Sequence, residues 1–525
     1  MNLVHDNTHT LDQPFFAPAN TDRISFLVAE YRALRGRIEH VSQLMHAEAK
    51  GVLQYFIDGN SETGRGSSTY EVNRLFEIDG AVAVLNAAYW DRALKMTDVL
   101  DLMPQARRQE WSNQIAGRKT PEFEESAVRS TLMDLLNSRA MFFAERVDGV
   151  FRSLSGTHLT NRPEGFSKRM IISDVLDKFG YVEHGKAGHI NDLRCVIAKF
   201  GGRDEPRWNS SARVIEIARD RGRWIVLDGG ALRLRVFKGV GTAHLEVHPE
   251  IAWRLNQTLS SLYPTAIPTS LRTKPKAAPK SFATLSAPLP FAVVDVLADA
   301  LRKRRAGNTL SLSSCGLSGG SGVLGKQIDA VLKMLGGTPT RTRDYVFDYD
   351  PQEALEEIVS TGLVPERTSH QFYPTTEVLA QEAVDRADIG DEDDCLEPSA
   401  GTGGLADYMP KDRTLCVEIS TLHAKVLASK GYQVESADFL AWADGTARRF
   451  DRIVMNPPFA KGRARLHLDA AAGLLRDGGR LVAILPGSMR GQSVLPGFDC
   501  EWHGPYSDQF EGTGVSVVML VAQKK

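Results

Sequence analysis

The apolar positions change period along the chain, and the changes divide it. Near the N-terminus, "RISFLVAEYRALRGRIEHVSQLM" and "TLMDLLNSRAMFFAERVDGVFRSL" space apolar residues as one face of a helix does. Between Ala212 and Val247 the texture shifts. "RWIVLDGGALRLRVFKGVGTAHLEVH" predicts two or three strands split by Gly-containing turns. "PEIAWRLNQTLSSLY" returns to helix, with Pro249 at its start. From Tyr263 to Pro290 the pattern stops. Pro264, Pro268, Pro275, Pro279, Pro288 and Pro290, with Lys, Ala, Ser and Thr between them, predict a semi-extended linker. Beyond it, "FAVVDVLADALRKRR" and "GKQIDAVLKMLGG" predict helices of a small bridging unit. "CGLSGGSG" between them lacks the Lys-Ser/Thr ending of a phosphate loop and reads as a flexible connection.

From about residue 370 apolar runs and helical patterns alternate. The expected order is helix "TEVLAQEAVDRA", strand "CLEPSA", a helix, strand "TLCVEI", helix "TLHAKVLASKG", strand "QVESADF", strand "RIVMNPPF", helix "RLHLDAAAGLLRDGG", strand "RLVAILPG" and a last strand in "GVSVVMLVAQ". Strands separated by helices predict a parallel, doubly wound α/β sheet of Rossmann-like type. The expected organisation is an α+β domain rich in helices over 1–262, a linker over 263–290, a bridging unit over 291–369 and the doubly wound domain over 370–525. At 525 residues the chain is too long for one ordinary core, which agrees with several domains.

Composition narrows the function classes. With 42% hydrophobic and 24% charged residues the chain is globular in character, and no apolar run is long enough to span a bilayer. "MNLVHDNTHT" has neither the basic nor the apolar region of an export signal. The five cysteines, Cys195, Cys315, Cys395, Cys416 and Cys500, are scattered without metal-ligand spacing. Reduced thiols, a cytoplasmic location, no membrane partner and no metal are therefore expected. The net charge of -2 does not announce a nucleic-acid binder, yet Thr265 to Leu310 carries eight basic residues against two acids. Such a stretch suits either a phosphate backbone or a solvated linker.

The chemistry concentrates where the predicted strands end. "CLEPSAGTGG" leaves a strand at Glu397 and turns on Gly401, Gly403 and Gly404, whose missing side chains let backbone approach a ligand. The next strand ends in Glu418, an acid placed to accept the hydroxyls of a ribose. The third ends in "ADF", where Asp438 is suited to an amino group and Phe439 to a purine face. The fourth ends in "NPPF", Asn456 to Phe459. A lone acid at a strand end is more often structural. Four consecutive strand ends, each with a group suited to adenosine or its target, are hard to produce by chance.

These residues resemble the amino-group methyltransferases that use S-adenosylmethionine, in the order where the cofactor motif precedes the catalytic one. "FYPTTEVLA" resembles that family's N-terminal cofactor-contact segment, "EPSAGTG" its methionine-side glycine loop, and "NPPF" its Asp/Asn/Ser-Pro-Pro-aromatic tetrapeptide. The resemblance covers about 370 to 525 and implies a class I methyltransferase fold. It implies cofactor contacts from Tyr373, Thr375, Glu397, Pro398, Ser399, Gly401, Gly403, Glu418, Ile419, Asp438, Phe439 and Asn456. It assigns catalysis to Asn456, Pro457, Pro458 and Phe459. In the N-terminal half, "GHINDLRCVIAKF" and "LRVFKGVGTAHLEV" resemble a domain of unknown function found in phage and plasmid proteins.

The resemblance leaves three substrates: adenine N6 in DNA, an amino group of an RNA base, and a protein glutamine amide. Phe459 is Phe where the glutamine-modifying relatives more often carry Tyr, and the N-terminal half favours DNA. Lys461, Arg463 and Arg465 follow NPPF and suit flanking phosphates or plain solvation. Little more than the last strands follows NPPF. Reading of sequence is therefore expected from the N-terminal half, the bridging unit or the loop "GSMRGQSVLPGFDCEWHGPYSDQ". A non-enzymatic alternative is a nucleic-acid-binding protein whose methyltransferase fold senses the cofactor.

Overall fold

The computed structural model describes residues 21–48, 51–52, 55, 75–97, 99–156, 158–275, 286, 288–304, 307–312, 322–342, 344–365, 375–459, 462–507 and 516–525. The chain forms two compact units. Unit 1 takes residues 1–173, 188–205 and 247–279; unit 2 takes 174–187, 206–246 and 280–525. Most of "CGLSGGSG" lies outside the described residues.

Unit 1 is built largely on helices. Thr21–Gln43, Ile78–Lys95 and Glu125–Asn137 bury Leu27, Tyr31, Trp90 and Leu132 in one cluster with Phe123. Asn86 sits inside that cluster, and its Oδ1 accepts from Tyr31 Oη at 2.7 Å and from Phe123 N at 3.1 Å. Arg146 of the helix Arg139–Arg152 is buried and matched by two carboxylates, Glu205 at 2.7 Å and Asp192 at 3.2 Å. A guanidinium removed from water requires such partners.

Unit 2 takes in a helix and three strands from before the Pro-rich stretch. Ile225–Leu227 pairs antiparallel with Leu232–Phe237, and Thr242–Val247 lies on the other side of the latter, so the upper of the two expected strand counts is the observed one. Helix α1 (Trp208–Arg221) packs beside α2 (Phe291–Lys303) and α3 (Gln352–Thr361). Arg213 and Arg221 of α1 reach Glu356 of α3 at 2.7 and 3.2 Å.

The C-terminal part of unit 2 opens with helix α4 (Glu377–Ala387). A seven-stranded sheet follows, made of β1 (Cys395–Pro398), β2 (Thr414–Glu418), β3 (Gln433–Ser436), β4 (Phe450–Met455), β5 (Leu475–Pro486), β6 (Phe498–Tyr506) and β7 (Val517–Lys524). Its order is β3-β2-β1-β4-β5-β7-β6. The first five strands in that order run parallel, and β7 is antiparallel to both β5 and β6. Helices α5 (Thr421–Lys430), α6 (Phe439–Gly445) and α7 (Arg463–Gly473) connect the strands.

Strand alternation feeds two cores. Ile453 and Met455 of β4 join Leu481 and Leu485 of β5 and Leu468 of α7. Val454 and Val482 turn to the other face, against Leu379 and Ala383 of α4. Both faces being covered, the central strands read as nearly continuous apolar runs. The chain leaves β1 toward β2 and β3, then begins β4 on the other side of β1. This is the switch point outside which doubly wound sheets hold ligands.

Three expectations differ from the structure. The helix expected between β1 and β2 is a single 3₁₀ turn, Ala406–Tyr408, because Pro410 follows at once. The helix expected to run to Gly479 ends at Gly473. Leu475 then pairs with Phe450 and Arg480 with Arg452, so the residues between loop out on Gly478 at φ +73°. The loop expected over 487–509 contains β6, an edge strand whose apolar Phe498, Cys500 and Trp502 alternate with Asp499, Glu501 and His503 before Gly504-Pro505 ends the pattern. No helix among the described residues is long and apolar enough to cross a membrane.

Candidate active site

The strand register lines up the predicted groups. Leu396 pairs with Ile453, so Ser399 is level with Asn456. Pro398 pairs with Val417, and Ser436 with Glu418, which brings the ends of β3, β2, β1 and β4 into one row. A cleft of about 320 Å³ opens along that row.

The turn after β1 forms its base. Ser399 takes φ +61°, Gly401 +57° and Gly403 +91°. The φ of Gly403 favours glycine, and a Cβ there would lie 3.0 Å from Leu427 Cδ2, which would have to give by a few tenths of an ångström. Glu397 is buried, and its Oε2 accepts from Ala406 N at 2.8 Å. Burial dominates over that bond and pushes the carboxyl up to about 8.

Glu418 is clamped by backbone. Its Oε2 accepts from Gly401 N at 2.8 Å and its Oε1 from Ser420 N at 2.7 Å. Burial raises its pKa, while the N–H groups of Ser420, Gly401 and Ile419 oppose the rise. Each carboxylate oxygen has a second lone-pair site, so the clamp leaves acceptor capacity. Asp438 caps α6: its Oδ1 accepts from Leu440 N at 3.0 Å and from Ala441 N at 3.2 Å.

Across the row, Asn456 Nδ2 donates to Thr375 Oγ1 at 3.1 Å. That bond puts the acceptor Oδ1 on the other arm of the amide. Pro457, Pro458 and Phe459 line the cleft beside it, and Phe459 also packs against both cores of the sheet.

Of the predicted residues, Thr375, Glu397, Ser399, Gly401, Glu418, Ile419, Asp438, Phe439, Asn456, Pro457, Pro458 and Phe459 line this one cleft. Pro398 and Gly403 do not line it; they shape the turn behind. Tyr373 and Lys461 lie outside the described residues. The expectation that Phe439 offers a face to a purine meets a ring only 3% exposed, packed against Trp442 and His467. Ile419, 53% exposed, is the open apolar surface at the cleft. Arg465 is ion-paired with Asp469 at 2.9 Å, whereas Arg463 lines the cleft.

Sequence reasoning missed two lining histidines, His423 and His467. His423 lies 3.9 Å from Glu418 Oε1. His467 had a signal: it falls four residues after Arg463, on the same face of the helix that follows NPPF. Among the described residues no group of three or more His, Cys, Asp and Glu could hold a metal ion.

Residues 82–265 match the family described as a domain of unknown function (DUF4942). No curated protein matches the chain. Among solved structures it is similar to TrmN from Thermus thermophilus at 21% identity, over 29% of this chain and 49% of that one, with a TM-score of 0.24. The chain thus spans about half the length of TrmN. It is similar to a putative RNA methyltransferase from Pyrococcus horikoshii at 21% identity, over 31% of this chain and 91% of that one, with a TM-score of 0.24. It is also similar to the M protein of the type I restriction enzyme EcoKI at 15% identity, over 33% of this chain and 50% of that one, with a TM-score of 0.25.

Proposed function

We propose that this chain transfers a methyl group from S-adenosylmethionine to an exocyclic amino group, and that the target is N6 of adenine in DNA. The observation that carries the reading is the single row of strand ends, in which Ser399, Glu418, Asp438 and Asn456 face one cleft. The residues fit the cofactor. Glu418, with both oxygens steered by backbone and acceptor sites left over, suits the ribose hydroxyls. Asp438 keeps Oδ2 for the adenine amino group, and Ile419 gives the purine an apolar surface. The turn at Gly401 lets backbone approach the methionine end. Bound S-adenosylmethionine supplies an electrophilic methyl group on its sulfonium.

The rest falls to this chain's own residues. An exocyclic amino group is a poor nucleophile because its lone pair is delocalised into the ring. Asn456 Oδ1 and the Pro457 carbonyl accept its two hydrogens, which favours a pyramidal nitrogen with its lone pair aimed at the methyl group. The stiff Pro457-Pro458 backbone holds the second acceptor in place. No strong base is needed first, since the nitrogen loses its proton after it has gained the methyl. Phe459 stacks the planar target, and Arg463 suits a flanking phosphate. A base in a duplex must be extruded to reach such a cleft, at a cost of a few kcal/mol.

DNA is favoured over RNA by the resemblance of the N-terminal half to phage and plasmid domains, and over protein glutamine by Phe459. Labelled methyl from S-adenosylmethionine, offered to DNA, RNA and protein in parallel, tests this. Label is expected in DNA, recovered as N6-methyladenine. Label confined to RNA or protein overturns the substrate. No transfer to any of the three, with cofactor still bound, favours the cofactor-sensing alternative.

A further inference from the structure

His467 is buried, 4% exposed, yet its ring lines the cleft. Its Nδ1 lies 3.2 Å from Ser399 Oγ, and its ring centroid is 5.4 Å from that of Phe439. Its Nε2 is buried and has no hydrogen-bond partner among the described residues. A buried polar atom without a partner is costly, and this one belongs to a side chain that lines a cleft, which points to a contact made with a ligand. Ser399 supplies a second sign of construction. It holds φ +61°, a conformation uncommon for a residue with a Cβ, while its Oγ meets the imidazole.

We propose that His467 is a cofactor-contact residue, its Nε2 forming a hydrogen bond with the purine edge of the bound nucleoside, and that Ser399 is its positioning partner. This rests on the cofactor assignment above. The purine half is indicated by neighbours: His467 packs on Phe439, which directly follows Asp438, the carboxylate suited to the purine amino group. Burial and the Arg463 cation hold the imidazole well below its usual range, to about 4, against the opposing pull of Asp438. The ring is therefore neutral at pH 7, and the Ser399 hydroxyl, which can donate or accept, suits either tautomer at Nδ1. If the Ser399 hydroxyl donates to Nδ1, Nε2–H donates to a purine ring nitrogen. If Nδ1–H donates to Ser399, Nε2 accepts from the purine amino group. Either arrangement rewards a purine nucleoside and is indifferent to the methionine end.

The test uses the full chain and calorimetric titration with S-adenosylhomocysteine, adenosine and methionine. His467→Phe keeps a ring against Phe439 and removes both nitrogens. It is expected to weaken S-adenosylhomocysteine and adenosine alike by about tenfold, the loss of one buried hydrogen bond, and to leave methionine unchanged. His467→Gln, which can again present a polar atom, is expected to recover part of that loss. Ser399→Gly suits the positive φ and removes the whole CH2OH side chain, so it is expected to weaken S-adenosylhomocysteine and adenosine by less than His467→Phe does; as Ser399 lies in the turn at the methionine end, methionine serves as the control for the His467 variants alone. Ser399→Gly also keeps the inference testable should His467→Phe fail to fold. Wild-type affinity for adenosine in His467→Phe and Ser399→Gly overturns the proposal. So does a variant that keeps cofactor affinity and raises only the KM for nucleic acid, which would assign His467 to the target. A wild-type chain that binds none of the three ligands is a different outcome and removes the cofactor assignment itself.

Discussion

Asn456 Nδ2 donates to Thr375 Oγ1 at 3.1 Å, across 81 residues of chain. With Nδ2 on Thr375, Oδ1 is the arm left to accept, and on the function proposed above Thr375 acts on the target through Asn456. Asn456→Ala should abolish methyl transfer while cofactor binding stays nearly intact, because on the proposed function the amide oxygen holds the target amino group. Thr375→Val keeps the shape and frees the amide to rotate. It should lower kcat by roughly tenfold, a smaller loss than removing a preorganised polar group outright. Single-turnover rates with cofactor affinity measured alongside separate the two. An Asn456→Ala enzyme at near wild-type rate would mean that NPPF is only a turn.

Glu418 should tolerate no replacement well. Gly401 N and Ser420 N each point a proton at one of its oxygens. Glu418→Ala removes a charged acceptor and should weaken S-adenosylmethionine by about ten- to a hundredfold. Glu418→Gln should be nearly as poor, since the amide must turn its own N–H toward one of those donors. Calorimetry on both variants checks this; a Gln variant close to wild type would mean that the clamp does not matter for binding.

The site was more legible in the sequence than the fold around it, and the reason is local. Glu397, Glu418 and Asn456 each sit where an apolar run stops, and Asp438 follows a short, mostly polar strand one βα unit after Glu418. Residues whose role depends on a distant partner were not legible. His467 meets Ser399 across 68 residues, and Phe439 lost its open face to Trp442 and His467. Strand β6 does alternate over Phe498, Cys500 and Trp502, but the run is short, lies between glycine- and proline-containing stretches and so reads as loop. The company kept by α1 was hidden too. Nothing near Arg213 or Arg221 signals that Glu356, beyond the Pro-rich stretch, completes both.

That shared carboxylate gives a stability prediction. Glu356 is buried between two arginines that are themselves 15% and 12% exposed at the side chain. Glu356→Ala leaves Arg213 with Glu216 alone and Arg221 with Glu353 and Glu357, and should destabilise unit 2 by about 2 kcal/mol, less than a fully unpaired buried charge would cost. Glu353 also reaches Arg221, at 3.1 Å, but its side chain is 58% exposed. Glu353→Ala should therefore cost less than about 1 kcal/mol. Denaturant unfolding of the full chain compares them, and equal losses would mean that burial does not set the strength of these pairs.

Glu397 should make the ligand-free protein less stable as the medium turns alkaline. Its carboxyl is raised from 4.5 to about 8, chiefly by burial. The folded chain thus holds a proton that the unfolded chain has already released. For a raised pKa the contribution to stability is fully present below about 4.5 and is lost as pH rises through about 8. The slope from this one group is at most about 1.4 kcal/mol per pH unit within that window. His467 acts at the other end. Its pKa is lowered from 6.5 to about 4, so its contribution is present above 6.5 and fades as pH falls toward 4. Glu397→Gln keeps an oxygen for Ala406 N and cannot ionise, so its unfolding midpoint should stay flatter than the wild type's between pH 6 and 8. Unfolding of the two proteins measured at half-unit steps distinguishes them. Parallel curves above pH 6 would mean that the Glu397 proton is already gone in the folded chain.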